Sequence, residues 1–445
     1  MKRLKKFFRH PLLWAYFINI IYGIYFYPKY AVMNYYDTGS YFDAFQRISN
    51  WRADMFRTPV YPILLVLFDP MDGSKDAFTP VLAYFQLLIF YVSMYCFYRL
   101  MKNFTKKPII QAAAVIAYGC ASPIIIFNKS LLTESLTISG IIFLMFLFFR
   151  HIETKRGGFL ISACFVTFIL TMLRPSNVFI YIVTGIYTAG FWVRNKRFSS
   201  PVAVYAVCLL MLFGYMWLNR IQNNYFGLSI VSERNRMHDI VCADIYHDNS
   251  DREIVKAIEA KKAEDRPDPE IAYEVGLEFE SFSPINRIGA FVSEAMRKHP
   301  ILFLRYLVRK SLDIGQTSML MWYSNSQVKE GVPEPLVIPG DFLSLNIGAI
   351  FLMAIIEFLV VLSGWIREKT VQWDSFLLFL MIAGQSAMNI LAAPGEYHRL
   401  FAPVYPLVIL CLFSHSGWRG RLSRKQEKPE KPARNALRPV YNSGR

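Results

Sequence analysis

Ten apolar runs, each close to the ~20 residues that an α-helix needs to cross a bilayer, occupy most of this chain. They lie near 11–28, 79–98, 109–127, 131–149, 158–173, 176–193, 200–218, 343–365, 372–391 and 400–414. Hydrocarbon offers no hydrogen-bond partners, so such runs must satisfy their backbone groups within helices. The fold class they imply is an all-α polytopic membrane protein of about 10 transmembrane helices (9–11) with amphipathic helices on its outer surface. Composition agrees, since 54% of the 445 residues are apolar, only 18% are charged and the mean hydropathy is +0.28. A soluble domain carries about 25% charge, so a cytosolic enzyme and a disordered chain are both excluded.

The formal charge of +16 is a matter of position. With a cytoplasmic amino terminus, the inner segments 1–10, 99–107, 150–156, 194–197, 367–369 and 418–445 hold 26 Lys and Arg against four acids, Glu153, Glu368, Glu427 and Glu430. The long outer segment 219–341 holds 15 basic and 19 acidic residues. This asymmetry is the positive-inside signature and places both termini in the cytoplasm. A nucleic-acid partner is not needed to explain the basic pI. The chain divides into a membrane core, 1–218, with the outer loop 31–78; the extracytoplasmic segment 219–341; C-terminal spans, 342–417; and a disordered basic tail, 418–445, near anionic lipid. Five of six cysteines fall in apolar runs and Cys242 lies outside, which gives neither a disulfide framework nor a metal spacing. The first apolar run follows KRLKKFFRH without a small-residue cleavage site and reads as a retained anchor.

Under this topology the ionisable residues at span ends gather on the outer side. The first outer loop carries YYDTGSYFDAFQRISNWRADMFRTPVYP, the fourth span opens with NKSLLTES, the fifth closes with LRPSN, and the last is preceded by APGEYHR. Ionisable groups kept at the edge of lipid are usually functional. In the first loop, Tyr41, Phe42, Phe45, Ile48 and Met55 recur at helical spacing, so 41–55 is expected as an amphipathic surface helix. Ser40 and Asp43 fit a capping box at its start. Asp37 then precedes the helix in a flexible turn beside Gly39, either presenting a carboxylate to a cavity or serving as an ordinary turn residue. Pro59 and Pro62 restrict the adjoining segment to a short interfacial helix over about 60–68. Glu134 opens a span, where the helix dipole also favours an acid. Arg174 and Pro175 close one, where a cation also snorkels. Glu396, His398 and Arg399 lie just outside the last span, and His398 has no second ligand in helical register, so no metal site is expected there.

These motifs, taken in order along the whole chain, resemble the bacterial family 39-type glycosyltransferases of the GT-C superfamily. The resemblance rests on Asp37 with Tyr41 four residues on, Arg57-Thr58-Pro59-Val60-Tyr61-Pro62, the LLTES of Leu131 to Ser135, Leu173-Arg174-Pro175, and Glu396-Tyr397-His398-Arg399 with Pro403 and Pro406. Val60 stands where the family has glycine, Leu400 where tyrosine is common, and Thr38 where the protein mannosyltransferases carry a second acid. The resemblance implies a GT-C-like bundle that transfers a sugar, with inversion, from a polyprenyl-phosphate donor to a cell-envelope glycan, lipid or protein at the outer face of the plasma (inner) membrane.

In that chemistry a base takes the acceptor's proton while an oxocarbenium-like sugar leaves phosphate. The resemblance makes Asp37 the candidate base and Glu134 a second catalytic carboxylate. Arg174 and Arg399 become candidates for the donor phosphate, with Arg57 either joining them or ordering the loop; Tyr41, Glu396 and His398 complete the candidate set. No nucleotide-bound metal is required, and a divalent cation remains an open possibility. The implied partners are the donor, a lipid-linked or envelope acceptor and membrane lipid, with no nucleic acid.

In the segment 219–341, Ser283 and Pro284 are expected to open a helix. The following HPILFLRYLVRKSLDIG is expected to lie at the interface with Arg305, Arg309 and Lys310 toward lipid phosphates, as a lid that helps select the acceptor or as a packing helix with snorkelling cations. Glu357 is an unassigned intramembrane acid. Two other readings stay open: a polysaccharide polymerase or ligase, which would use His238, His247 or His299 in the large outer segment, and a transporter or flippase of a lipid-linked precursor. Against the last, the polar groups gather at one face rather than at midplane, and no internal repeat is evident.

Overall fold

The computed structural model describes residues 10–27, 36–68, 81–195, 199–280, 286–319, 345–369, 371–392 and 395–415. The expected helix start at Ser283 and Pro284 and the basic tail 418–445 lie outside the described residues. Helices follow in chain order: α1 Pro11–Phe26, α2 Tyr36–Ser49, α3 Val60–Phe68, α4 Val81–Phe104, α5 Pro108–Cys120, α6 Ser122–Ile125, α7 Glu134–Thr154, α8 Gly157–Leu173, α9 Val178–Asn195 and α10 Ser200–Asn223. They continue with α11 Val231–Cys242, α12 Arg252–Ala263, α13 Asp268–Glu280, α14 Arg287–Lys298, α15 Pro300–Gln316, α16 Ile347–Glu368, α17 Trp373–Ala392, α18 Tyr397–Phe401 and α19 Tyr405–His415. Among the described residues there is no β-strand, only an antiparallel bridge between Ser318 and Asn346.

Helix occupies each of the ten apolar runs. Among the described residues, seven spans are long and apolar enough to cross a membrane, namely α4, α7, α9 with its preceding turn, α10, α16, α17, and α18 continued by α19. The run near 109–127 is α5 and α6, bent by 51° at a break. There Ala121 is extended and Pro123, which has no N–H, opens the next turn. The remaining two, α1 and α8, are shorter apolar helices. This is a helical membrane protein.

Sequence punctuation sets the boundaries. Prolines at the first turn start α1, α5, α10 and α15, where a missing N–H costs nothing. Lys155, Asn224 and Lys369 end α7, α10 and α16 in the left-handed conformation. The bundle core is built around α7, whose Ile138, Ile141, Met145 and Phe148 are buried against neighbouring helices. By contrast, only 17% of the apolar stretch of α10 is buried, and Leu210, Met211, Trp217 and Ile221 on it are exposed, as suits a lipid-facing helix.

Helices α11 to α15 form a second unit with its own core of Met237, Ile240, Ile258, Val275, Phe291 and Val292. Helix α14 shows why: Ile288, Phe291, Val292 and Ala295 recur on one face and are buried, while Arg297 and Lys298 stay out. The unit joins the bundle where α15 crosses α16 at Gly315 and Gly348. A Cβ on Gly348 would lie 2.9 Å from the Gly315 carbonyl oxygen, so this approach admits only glycine. Along α15, Ile301, Leu304, Val308 and Leu312 form an exposed apolar stripe and Arg305 and Arg309 are exposed beside it. Lys310 departs from the expected lipid-facing position. It is buried, and its Nζ donates to Asp239 of α11 at 2.6 Å, because the helical period turns it inward with Phe303 and Ile314.

Candidate functional site

The first loop differs from expectation in register. Its surface helix runs over Tyr36–Ser49, five residues ahead of the expected start, so Asp37 lies in the first helical turn rather than in a turn before it. Ser40 is therefore inside the helix and caps nothing; its Oγ donates to the Asp37 carbonyl at 2.6 Å. The amphipathic pattern was real, but the two polar residues at its start also fit a first turn, where an acid meets the helix dipole. Thr38 Oγ1 donates to the Leu131 carbonyl at 3.1 Å, which ties this turn to the LLTES segment 93 residues away.

Residues 51–57 are irregular and are held from two sides. Asp54 Oδ1 accepts the Phe56 and Arg57 amides at 2.8 and 2.7 Å, a side-chain turn that sets the direction of Arg57. From α10, the Tyr215 hydroxyl donates to the Asp54 and Arg57 carbonyls at 3.1 and 3.3 Å, and Asn223 donates to the Ala53 carbonyl at 2.9 Å. So fixed, Arg57 donates through Nη2 to Asp37 Oδ1 at 2.7 Å and through Nε to Ser40 Oγ at 2.8 Å. Its guanidinium lies 4.6 Å from the centre of the Tyr41 ring, a cation–π contact. Tyr41 meets Tyr61 edge-on, and the Tyr61 hydroxyl donates to Gln86 Oε1 at 3.3 Å. Gln86 in turn donates to the Ser130 carbonyl at 2.9 Å, a buried network that supports the turn before Glu134.

Arg399 is the hub. Its Nε donates to Glu134 Oε1 at 2.6 Å, its Nη1 to Glu396 Oε2 at 2.7 Å and its Nη2 to Asp37 Oδ2. Each guanidinium nitrogen thus serves a different carboxylate. Arg174 Nη1 stands 3.3 Å from the same Glu134 oxygen and makes no hydrogen bond within the described residues. Glu134 is fully buried. Glu396, at φ 51° just before α18, has a side chain 51% exposed. Burial pushes the Asp37 carboxyl up, but the Arg57 and Arg399 guanidinium groups beside it outweigh burial and hold it at about 2. Asp37 is therefore ionised at neutral pH.

The cluster opens onto a cavity of about 1040 Å³. Asp37, Tyr41, Arg57, Arg174, Glu396 and Arg399 line one pole. Val178 and Ile182 of α9 with Leu209, Leu212, Phe213 and Met216 of α10 line an apolar wall. Ser232, Arg234, Asn235 and His238 of α11, with Pro269 and Tyr273 of α13, also line it. Glu134 sits behind this surface, which Thr133 reaches in its place. His398 and Glu357 are buried and do not line the cavity. Neither do Arg305 and Arg309, nor His247 and His299, which pair with Asp244 at 3.2 Å and Asp248 at 2.9 Å. Acids that would ligate a divalent cation are committed to arginines, and among the described residues no group of three or more His, Cys, Asp or Glu is placed to hold a metal ion.

Among solved structures, the chain is similar to two of archaeal oligosaccharyltransferases. One such structure is the Archaeoglobus fulgidus oligosaccharyltransferase in the apo form, at 10% identity and a TM-score of 0.43, with 92% of this chain matched to 51% of that one. Another is oligosaccharyltransferase AglB from the same organism in complex with an inhibitory peptide and a dolichol-phosphate, at 9% identity and a TM-score of 0.41, with 94% matched to 52%. The chain thus spans about half the length of those proteins. No family model and no curated protein matches the sequence.

Sequence reasoning missed Asp54, Gln86, Arg234, Asn235 and Tyr273. Asp54 had a signal, since an Asp two and three residues before the amides it caps is a side-chain turn pattern. Arg234, Asn235 and His238 recur at helical spacing, but nothing local tells which face of α11 meets the cavity.

Proposed function

We propose that this chain is a GT-C-type glycosyltransferase of the plasma (inner) membrane, with both termini cytoplasmic, that inverts a sugar from a polyprenyl-phosphate donor onto a cell-envelope glycan, lipid or protein at the outer face. The observation that carries this reading is the cavity: a pole of three arginines with the carboxylates Asp37 and Glu396 stands beside an apolar wall built by a lipid-facing helix. A polyprenyl phosphate has the same two parts. Its tail suits Leu209, Leu212, Phe213 and Met216, and its phosphate suits Arg174 and Arg399. The order of short motifs shared with the family 39-type enzymes agrees with this assignment.

In the reaction, the acceptor hydroxyl oxygen bonds to the sugar's anomeric carbon as the bond from that carbon to the phosphate oxygen breaks. The acceptor's proton passes to Asp37, and the bonding electrons leave with the polyprenyl phosphate. Charge grows on that phosphate in the transition state, so Arg174 and Arg399 stabilise it more than the ground state. As Arg399 turns toward the phosphate, its hold on Asp37 weakens and the basicity of Asp37 rises. Glu134 fixes Arg399 and Arg174 from behind, and Arg57 holds Asp37 and Tyr41 in place. The α11 wall, with Arg234, Asn235 and His238, faces the space left for the acceptor. His238 favours a second reading, a polymerase or ligase acting on lipid-linked oligosaccharide, in which that histidine serves the acceptor.

The test is transfer from a panel of labelled polyprenyl-phosphate sugars by purified protein, comparing Asp37→Asn with Asp43→Asn, which changes an exposed acid on the same helix. Loss in the first alone, with donor still bound, supports the assignment. Transfer that survives in both and falls in His238→Ala moves the function to the second reading.

A further inference from the structure

The cluster is electrically closed before any ligand arrives. Three arginines, Arg57, Arg174 and Arg399, face three carboxylates, Asp37, Glu134 and Glu396. Each of the three nitrogens of Arg399 already donates to a carboxylate, so an anion approaching this guanidinium meets the charge of three carboxylates gathered around it and binds best where one of them gives way. The three are held unequally. Glu134 is fully buried and shared by two arginines; Asp37 is also shared by two and sits in a helical turn. Glu396 has Arg399 as its one ion-pair partner among the described residues, its side chain is half exposed, and it lines the same cavity as Arg174, whose Nη1 has no hydrogen bond within the described residues.

Resting on the reading above, we propose that Glu396 is a resident stand-in for the donor phosphate: it occupies Arg399 Nη1 in the empty site and is expelled when a phosphate group bridges Arg174 and Arg399. In the empty site the arrangement keeps a buried cation neutralised, which an apolar surrounding requires. With the phosphate bound, Glu396 swings to the solvent side, and its displacement subtracts from donor affinity. Binding is thereby an exchange of anions rather than an addition of one, and the cluster never carries a large net charge.

The experiment is binding of undecaprenyl phosphate to purified full-length protein, with inorganic phosphate as a second arm, for wild type, Glu396→Gln and Arg399→Lys, with thermal melting of each with and without ligand. The expected result is that Glu396→Gln binds undecaprenyl phosphate about threefold to tenfold more tightly, the effect of removing a half-exposed competing charge. Inorganic phosphate binds more weakly but gains by the same factor, which assigns the effect to the headgroup rather than the tail. Without ligand, Glu396→Gln melts below wild type, and with ligand the gap closes or reverses. Unchanged or weaker binding by Glu396→Gln, while wild type binds and Arg399→Lys does not, overturns this inference and leaves the transferase reading standing. No binding of undecaprenyl phosphate by wild type or by Glu396→Gln overturns both. A gain confined to the lipid arm overturns the inference by tracing the effect to the tail.

Discussion

Two buried ion-pair systems in this protein are built from the same chemistry and differ in what they face. In the helical unit α11–α15, Lys310 donates to Asp239 at 2.6 Å, with the Tyr306 hydroxyl adding a bond at 3.3 Å to the same oxygen, among side chains of that unit's core. At the end of the bundle, Arg399 serves three carboxylates and two more arginines serve the same acids, on the surface of a cavity of about 1040 Å³. The first joins two helices through one lysine and one carboxylate, neither of which lines the cavity, with His238 3.6 Å from the same Asp239 oxygen. The second is over-connected and open on one side, so its partners can be exchanged without unfolding anything. Burial alone therefore does not mark a site; sharing of partners beside an open volume does.

The largest effect expected from breaking this comparison is at the hub. Arg399→Ala leaves the buried Glu134 with only the 3.3 Å contact to Arg174 and Asp37 with only Arg57, at about 3–5 kcal/mol, so melting falls sharply and transfer disappears together. Asp239→Asn also leaves the buried Lys310 without its carboxylate and is expected to cost about 3–5 kcal/mol. There, however, the double change Asp239→Leu with Lys310→Met recovers stability in melting experiments, whereas no apolar replacement of Arg399 and Glu134 recovers transfer. Arg174→Ala separates function from stability: it lowers kcat about 10²-fold with little change in melting, because its single 3.3 Å contact contributes little to the fold.

Smaller still is the pH effect. The Asp37 carboxyl is depressed to about 2, so the stability it lends is present above the ordinary carboxylate range and lost only as pH falls toward that value. The melting difference between wild type and Asp37→Asn is expected to stay constant from about pH 7 down to about pH 5; a difference that shrinks over that interval would show that the two arginines do not hold Asp37 in solution. Asp43→Asn, at an exposed position, is expected to change neither melting nor transfer.

The helices were legible because membrane spans write themselves into composition, and the α3 segment over 60–68 was legible because its prolines leave few choices. The motif residues Asp37, Arg57, Arg174, Glu396 and Arg399 were legible as candidates from their type and position at span ends, and the structure brings them to one pole of the cavity. What no local pattern contains is their arithmetic: Arg399 reaches Asp37 across 362 residues and Glu134 across 265. The register of α2 was missed because a Ser–Asp pair at that spacing fits both a cap and a first turn. Lys310 was misplaced because a cation among leucines suits snorkelling as well as pairing, and only Asp239, 71 residues away, decides between them.

One wall of the cavity belongs to α10, the helix that turns most of its surface to lipid. A ligand that arrives along that wall diffuses in two dimensions, and its supply is set by its mole fraction in the membrane rather than by its amount per litre. In detergent, each added micelle dilutes such a ligand even when its bulk concentration is unchanged, so rates measured at fixed total lipid should fall as detergent rises and recover when the ratio is restored.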